Sequence, residues 1–176
     1  MKLSLTLIAA ASALVLGGLS AQAGCADPRQ SGAQQIKLPA QLSQRMAQKL
    51  PTGTDAGSNI IGTWLVTYTV EGSPFGQAYI QWHDDGTEWE NINLPVEGGN
   101  ICMGSWKKVD AKRVYRDHWG WLYTNGDVSG YFNETETDHV SRDGSYTGTN
   151  EQIGYDLNGN QLFDVTGTSS AVKITP

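Results

Sequence analysis

Four Asx-Gly pairs, Asp85-Gly86, Asn125-Gly126, Asp143-Gly144 and Asn158-Gly159, each stand between runs rich in Thr, Tyr, Trp, Val and Ile. Such a pair supplies the positive φ angles that a tight hairpin needs, so each one predicts two adjacent antiparallel strands. The runs place strands near 62–71, 76–84, 87–94, 102–109, 112–123, 128–140, 145–156 and 161–174. The link from Pro95 to Asn100 is the longest between them, and the turn at Asp110-Ala111 is short. Eight strands in chain order make an up-and-down meander, and closing it removes the exposed edges. The expected fold is all-β: an eight-stranded antiparallel up-and-down β-barrel with one short N-terminal helix.

Alternation says which side chains share a face. In the first strand Trp64, Val66, Tyr68 and Val70 share one; in the second, Ala78, Ile80 and Trp82 do. The fifth mixes polar and aromatic residues on both faces, with Tyr115, Asp117, Trp119 and Tyr123 against Val114, Arg116, His118 and Leu122. A cavity-lining strand has this look, and so does an edge strand.

The N-terminus reads as a secretory signal peptide over residues 1–23: Lys2, an apolar stretch from Leu3 to Leu19, and a small-residue cleavage site at Ala21-Gln22-Ala23. Cleavage leaves 153 of the 176 residues, enough for a single domain, and no second hydrophobic stretch long enough to span a membrane. Residues 24–35 read as a flexible N-terminus and 36–59 as a short helix and loop. The helix follows from Leu42, Met46 and Leu50 recurring every fourth residue before Pro51. The barrel occupies 60–176. In an oxidising compartment Cys25 and Cys102 read as one disulfide. Acylation of Cys25 as a lipid anchor is the competing reading, with Gln22 out of place for it. Localisation is therefore periplasmic or secreted.

Twelve basic and eighteen acidic residues give a net charge of −6, and losing Lys2 makes it −7. An acidic chain without a basic cluster argues against nucleic acid as a partner. His83, His118 and His139 share no metal-ligand spacing. Asp156-Leu157-Asn158-Gly159-Asn160 lacks the glycine and the terminal glutamate of a calcium loop. No phosphate loop, dinucleotide fingerprint or nucleophile elbow is present, so no cofactor is expected.

Gly62-Thr63-Trp64 opens the first strand of this meander. A Gly-x-Trp in that place resembles the lipocalins and the wider calycin superfamily, and a compact avidin-like calycin is equally compatible with the barrel's length. The resemblance implies that Gly62 and Trp64 are structural, the tryptophan plugging one barrel end against a basic residue of the last strand. That residue is usually arginine; here the last strand offers Lys173.

Candidate binding residues are aromatic. Trp82, Trp89, Trp106, Trp119 and Trp121, with Tyr68 and Glu88, could line a pocket for a flat or apolar ligand; ordinary barrel packing would also use them. His118 beside Asp117 is the candidate acid/base, provided its face points inward. Glu88 and Glu90 point one way, toward either a cationic ligand or solvent. Three functions remain: an exported lipocalin-like barrel binding a small apolar or aromatic molecule, a barrel isomerase or cyclase using His118, and a non-catalytic envelope or adhesion module. A reachable cavity separates the first two from the third, and an inward His118 with a carboxylate partner separates the second from the first.

Overall fold

The computed structural model of the chain describes residues 56–95 and 100–174. A one-turn helix α1 (Ala56–Ile60) leads into β1 (Gly62–Val70), β2 (Ser73–Trp82), β3 (Thr87–Ile92), β4 (Ile101–Lys108), β5 (Arg113–Thr124), β6 (Asp127–Val140), β7 (Ser145–Asp156) and β8 (Gln161–Lys173). Each strand pairs antiparallel with its neighbour in the chain, and β8 closes onto β1 from Trp64↔Lys173 to Val70↔Gly167. The result is the closed eight-stranded barrel that the hairpin signals predict. The expected signal peptide, the helix before Pro51 and Cys25 lie outside the described residues.

At all four Asx-Gly sites the glycine takes a φ between 82° and 87°. Only Asn125 joins its glycine at positive φ, in the compact two-residue form. The aspartates act differently. Asp85 and Asp143 accept hydrogen bonds from the backbone N–H two residues on, at Thr87 and Ser145, and so close the turn with the side chain. A fifth tight turn, Glu71-Gly72, joins β1 to β2 with φ of 47° and 77°. Glutamate has no local preference for that region, so the sequence carries only half the signal there.

Residues 52–59 read as a loop from the sequence, yet α1 forms at its end. The Ala56 N–H donates to the Ala111 carbonyl in the β4–β5 turn at 3.0 Å, which ties α1 over that end of the barrel. Trp64 stands directly beneath: its indole N–H donates to the Ile60 carbonyl at 2.6 Å. The Lys173 ammonium lies 5.4 Å from the Trp64 ring and donates to the Asn59 carbonyl at 2.7 Å. Gly62, at φ 124°, passes against the Lys173 stem. Lysine thus bridges the plug tryptophan and the helix, using one ammonium where a guanidinium would offer a plane.

The apolar core comes in two layers. Trp64, Val66, Ile80, Trp82, Val114, Val140 and Tyr146 fill the end under α1. Val70, Phe75, Ile92, Leu122, Phe132 and Val165 fill the end at the β1–β2 and β5–β6 turns. Between them the lumen is polar. Truncating a buried tryptophan typically costs about 3–5 kcal/mol. In urea titrations Trp64→Ala is expected to lose about that much stability, whereas Trp119→Ala, on the outer face, should stay within about 0.5 kcal/mol of wild type.

Candidate functional site

The polar middle of the lumen is assembled from three strands by simple alternation. Glu88 and Glu90 point inward from β3, Arg116 and His118 from β5, and Glu134, Glu136 and Asp138 from β6. The ladder sets His118 opposite Glu134 and Arg116 opposite Glu136. On the other side of β5, Gly104 of β4 faces His118. A Cβ at position 104 would collide with the Asp117 carbonyl and the His118 side chain, so a glycine is what lets β4 lie flat beside the imidazole.

Arg116 is the hub. Its Nη1 donates to Glu90 Oε2 at 3.0 Å and lies 3.8 Å from Glu88 Oε2. Its Nη2 donates to Glu134 Oε1 at 2.8 Å, to the Tyr68 hydroxyl at 3.1 Å and to Glu136. The Tyr68 O–H in turn donates to Glu90 Oε2 at 2.6 Å, and the Ser169 O–H donates to Glu136. Above the guanidinium sits the Trp82 ring, 5.8 Å from Cζ, itself edge-on to Trp106 and Tyr146. His118 extends the network: Nδ1 is 3.2 Å from Glu88 Oε1 and Nε2 is 3.4 Å from Glu134 Oε1. Every charged side chain in the network is fully buried.

Five carboxyl groups therefore face two cations away from water. Burial alone would drive the His118 imidazole toward neutrality, and Arg116 pushes the same way; Glu134 and Glu88 more than reverse both, raising it to about 10. The ring is held as an imidazolium at neutral pH. Burial also pushes the Arg116 guanidinium down, but Tyr68, Glu136, Glu88 and Glu90 keep it charged. The Glu134 carboxyl resists its own burial and is held below the usual range by His118 and Arg116. Asp138 goes the other way. Burial and then Glu136 hold its carboxyl well above the ordinary range, and Glu90 is raised by burial as well. Both shifts favour the neutral form and so lessen the imbalance of buried charge.

The seven candidate binding residues do not meet in one place. Trp82, Trp106, Tyr68 and Glu88 face the lumen, where they pack on or bond to Arg116 and its partners. Trp89, Trp119 and Trp121 face outward, 43%, 51% and 56% exposed. Nor are His118 and Asp117 a pair. Adjacent strand residues point to opposite faces, so Asp117 lies on the outer wall, where its Oδ1 accepts from Asn133 Nδ2 at 2.6 Å. The carboxylates that hold His118 are Glu88 and Glu134. Sequence reasoning left Arg116, Glu134, Glu136 and Asp138 out of the site, and weighed Glu90 only with Glu88 as facing a cationic ligand or solvent.

The outer wall is the second feature of note. In register across the strands run Trp89, Met103 and Trp119, with Ile101 and Trp121 beside them, all exposed. Trp119 continues into Tyr131 at 6.3 Å and Tyr131 stacks on Tyr155 at 5.4 Å. On β2 and β3 a depression of about 280 Å³ opens between the exposed rings of Tyr79 and Trp89, with Thr63, Ile80, Gln81 and Asn91 around it. Among the described residues no group of His, Cys, Asp and Glu side chains is placed to hold a metal ion.

Removing Arg116 leaves buried carboxylates without a counter-charge, and breaking a buried pair in this way costs about 3–5 kcal/mol. Arg116→Ala is expected to lose at least that much in urea unfolding. For His118 the folded value lies above the unfolded one of about 6.5. Its contribution is whole below pH ~6.5 and is lost as pH rises through about 10. Wild-type stability should therefore fall between pH 7 and 10, and His118→Gln, weaker at pH 7, should fall less steeply. Parallel curves would mean that His118 carries no buried charge.

No family model matches the chain, and no curated protein does. Among solved structures it is similar to the EF1p2_mFAP2b barrel bound to DFHBI, at 16% identity and a TM-score of 0.45, covering 69% of this chain and 98% of that one. It is also similar to a redesigned beta barrel, at 13% identity and a TM-score of 0.42, covering 71% and 99%.

Proposed function

We propose that this chain is an exported, lipocalin-like barrel that binds a small apolar or aromatic molecule on its outer wall, between Tyr79 and Trp89. The observation that carries the reading is the apolar depression flanked by two exposed rings on a rigid sheet. Its volume, about 280 Å³, suits a one- or two-ring molecule. Two aromatic walls offer large contact area at little entropic cost, and Gln81 and Asn91 at the margin can orient a polar substituent.

The lumen is a poor alternative. Its middle is occupied by the Arg116 network, and a ligand entering there would have to displace charged partners. A Cβ on Gly148 would already collide with Asp138, Glu136 and Ser169, so at this level the side chains pack solidly. General-base catalysis by His118 finds no support in this setting either, because an imidazolium held up to about 10 accepts no proton at neutral pH.

Export is supported by the signal-peptide layout of residues 1–23. In the oxidising compartment this implies, we assign Cys102 to a disulfide with Cys25. The Cys102 side chain is buried in the lumen on β4, toward the end remote from α1. Such a link typically contributes about 2–4 kcal/mol.

Tryptophan fluorescence of the mature protein, titrated with naphthalene- and indole-type probes, tests the reading. Saturable quenching is expected. Tyr79→Ala and Trp89→Ala should each weaken binding by about tenfold or more, as loss of an aromatic anchor does. Undiminished binding in both variants would place the ligand elsewhere, and the absence of any saturable response would sink the ligand-binding reading.

A further inference from the structure

The wall of exposed Ile101, Met103, Trp119 and Trp121, continued by the half-buried Tyr131 and Tyr155, is larger than a small ligand needs. Contiguous exposed apolar surface of this kind marks an interaction site. We propose that it is covered by the protein's own N-terminal segment, residues 36–50 lying along β4–β6 as a strap with Leu42, Met46 and Leu50 against the aromatic side chains.

Two anchors dictate the path. At one end the segment joins α1, whose Ala56 is bonded to the β4–β5 turn at Ala111. The other anchor is Cys25 joined to Cys102, near the start of β4; this end rests on the disulfide assigned above. The two points lie at opposite ends of the barrel, so the thirty residues between Cys25 and Ala56 must run its height. With the lumen filled, the shortest route is the outer face of β4 and β5, over Met103 and Trp119. Length is sufficient. β4 has eight residues, about 27 Å. A helix over 39–50 covers about 18 Å, and the remaining residues reach well beyond the difference.

Charge points the same way. Residues 24–55 carry Arg29, Lys37, Arg45 and Lys49 against Asp27 and Asp55, a net +2. Residues 56–176 carry seven basic and sixteen acidic side chains, a net −9. A cationic strap on an acidic barrel is attracted before its apolar face makes contact. On a helix Arg45 and Lys49, three and seven residues after Leu42, flank the stripe of Leu42, Met46 and Leu50 on one side, placed to meet the barrel's acidic margins.

The test uses the mature chain, residues 24–176, purified without reductant. Leu42→Asp with Met46→Asp should red-shift the tryptophan emission and steepen acrylamide quenching at an unchanged melting temperature of the barrel. In a Trp119→Phe/Trp121→Phe background the same pair should do neither. Amide hydrogen exchange in the wild type should show protection over residues 39–50 that the double variant loses. Unchanged quenching together with unprotected amides overturns the proposal. So does a concentration-dependent doubling of mass that accounts for the quenching, because a second copy would then cover the wall. Titration of free thiols under denaturing conditions separates the two anchors: two reactive thiols with Leu42/Met46-dependent quenching retain the strap and discard the disulfide.

Discussion

A guanidinium at the centre of a β-barrel decides most of what this molecule can be. Arg116 cannot shed its charge, so its burial is tolerable only if carboxylates come with it and are held in bonding geometry. Glu90, Glu134 and Glu136 meet that condition, Tyr68 and Ser169 satisfy further oxygens, and His118 supplies a second cation between Glu88 and Glu134. These groups come from β1, β3, β5, β6 and β8, so the network fastens strands around most of the closed sheet. A one-residue slip of β3 or β6 would turn carboxylates to solvent and leave the guanidinium short of partners, which makes the network a specification of register as much as a source of stability.

From that constraint the distribution of aromatic side chains follows. With its middle assigned to ion pairs, joined by Tyr68 and His118, the lumen packs its other rings toward its ends, where Trp64, Trp82 and Tyr146 lie under α1 and Phe75 and Phe132 lie at the other end. Trp89, Trp119 and Trp121 occupy the opposite faces of strands whose inward positions are Glu88, Glu90, Arg116 and His118. On β3 and β5 polar and apolar faces are thus exchanged relative to an ordinary half-buried sheet. A barrel built this way carries its exposed aromatic surface on the outside, and both the ligand site and the N-terminal strap proposed above use that surface.

The elements were legible in the sequence because turn chemistry is local. An Asx-Gly pair constrains φ wherever it stands, and the four pairs placed strand ends to within a few residues of those observed. Glu71-Gly72 escaped because half of its signal was missing. The faces of β1 and β2 were legible too, since their apolar residues alternate cleanly. The site was much less so. Glu88 and Glu90 around Trp89 suit a solvated exterior as well as a lumen, and choosing between these needs the partner strand. A usable signal did exist in Glu134-Thr135-Glu136-Thr137-Asp138, strict alternation of acid and threonine, directly following a hairpin whose other strand holds Arg116 and His118 two residues apart. Aligning the two strands on the Asn125-Gly126 turn alone would still have set Arg116 against Thr135; the register shift between Leu122 and Tyr123, which no local signal marks, is what brings Glu136 opposite Arg116 and Glu134 opposite His118.

The central claim is that the lumen is a charge-locked core and that the proposed binding surface lies outside it. The protonation state of His118, followed by nuclear magnetic resonance of the labelled imidazole as pH is raised, tests it most directly. The account predicts a ring that stays doubly protonated from pH 5 through 8.5 and titrates only toward about 10. A midpoint near 6.5, the value of a solvated histidine, would contradict it: the lumen would then be wet and its charges unlocked, and the interior would return as the place where a ligand binds.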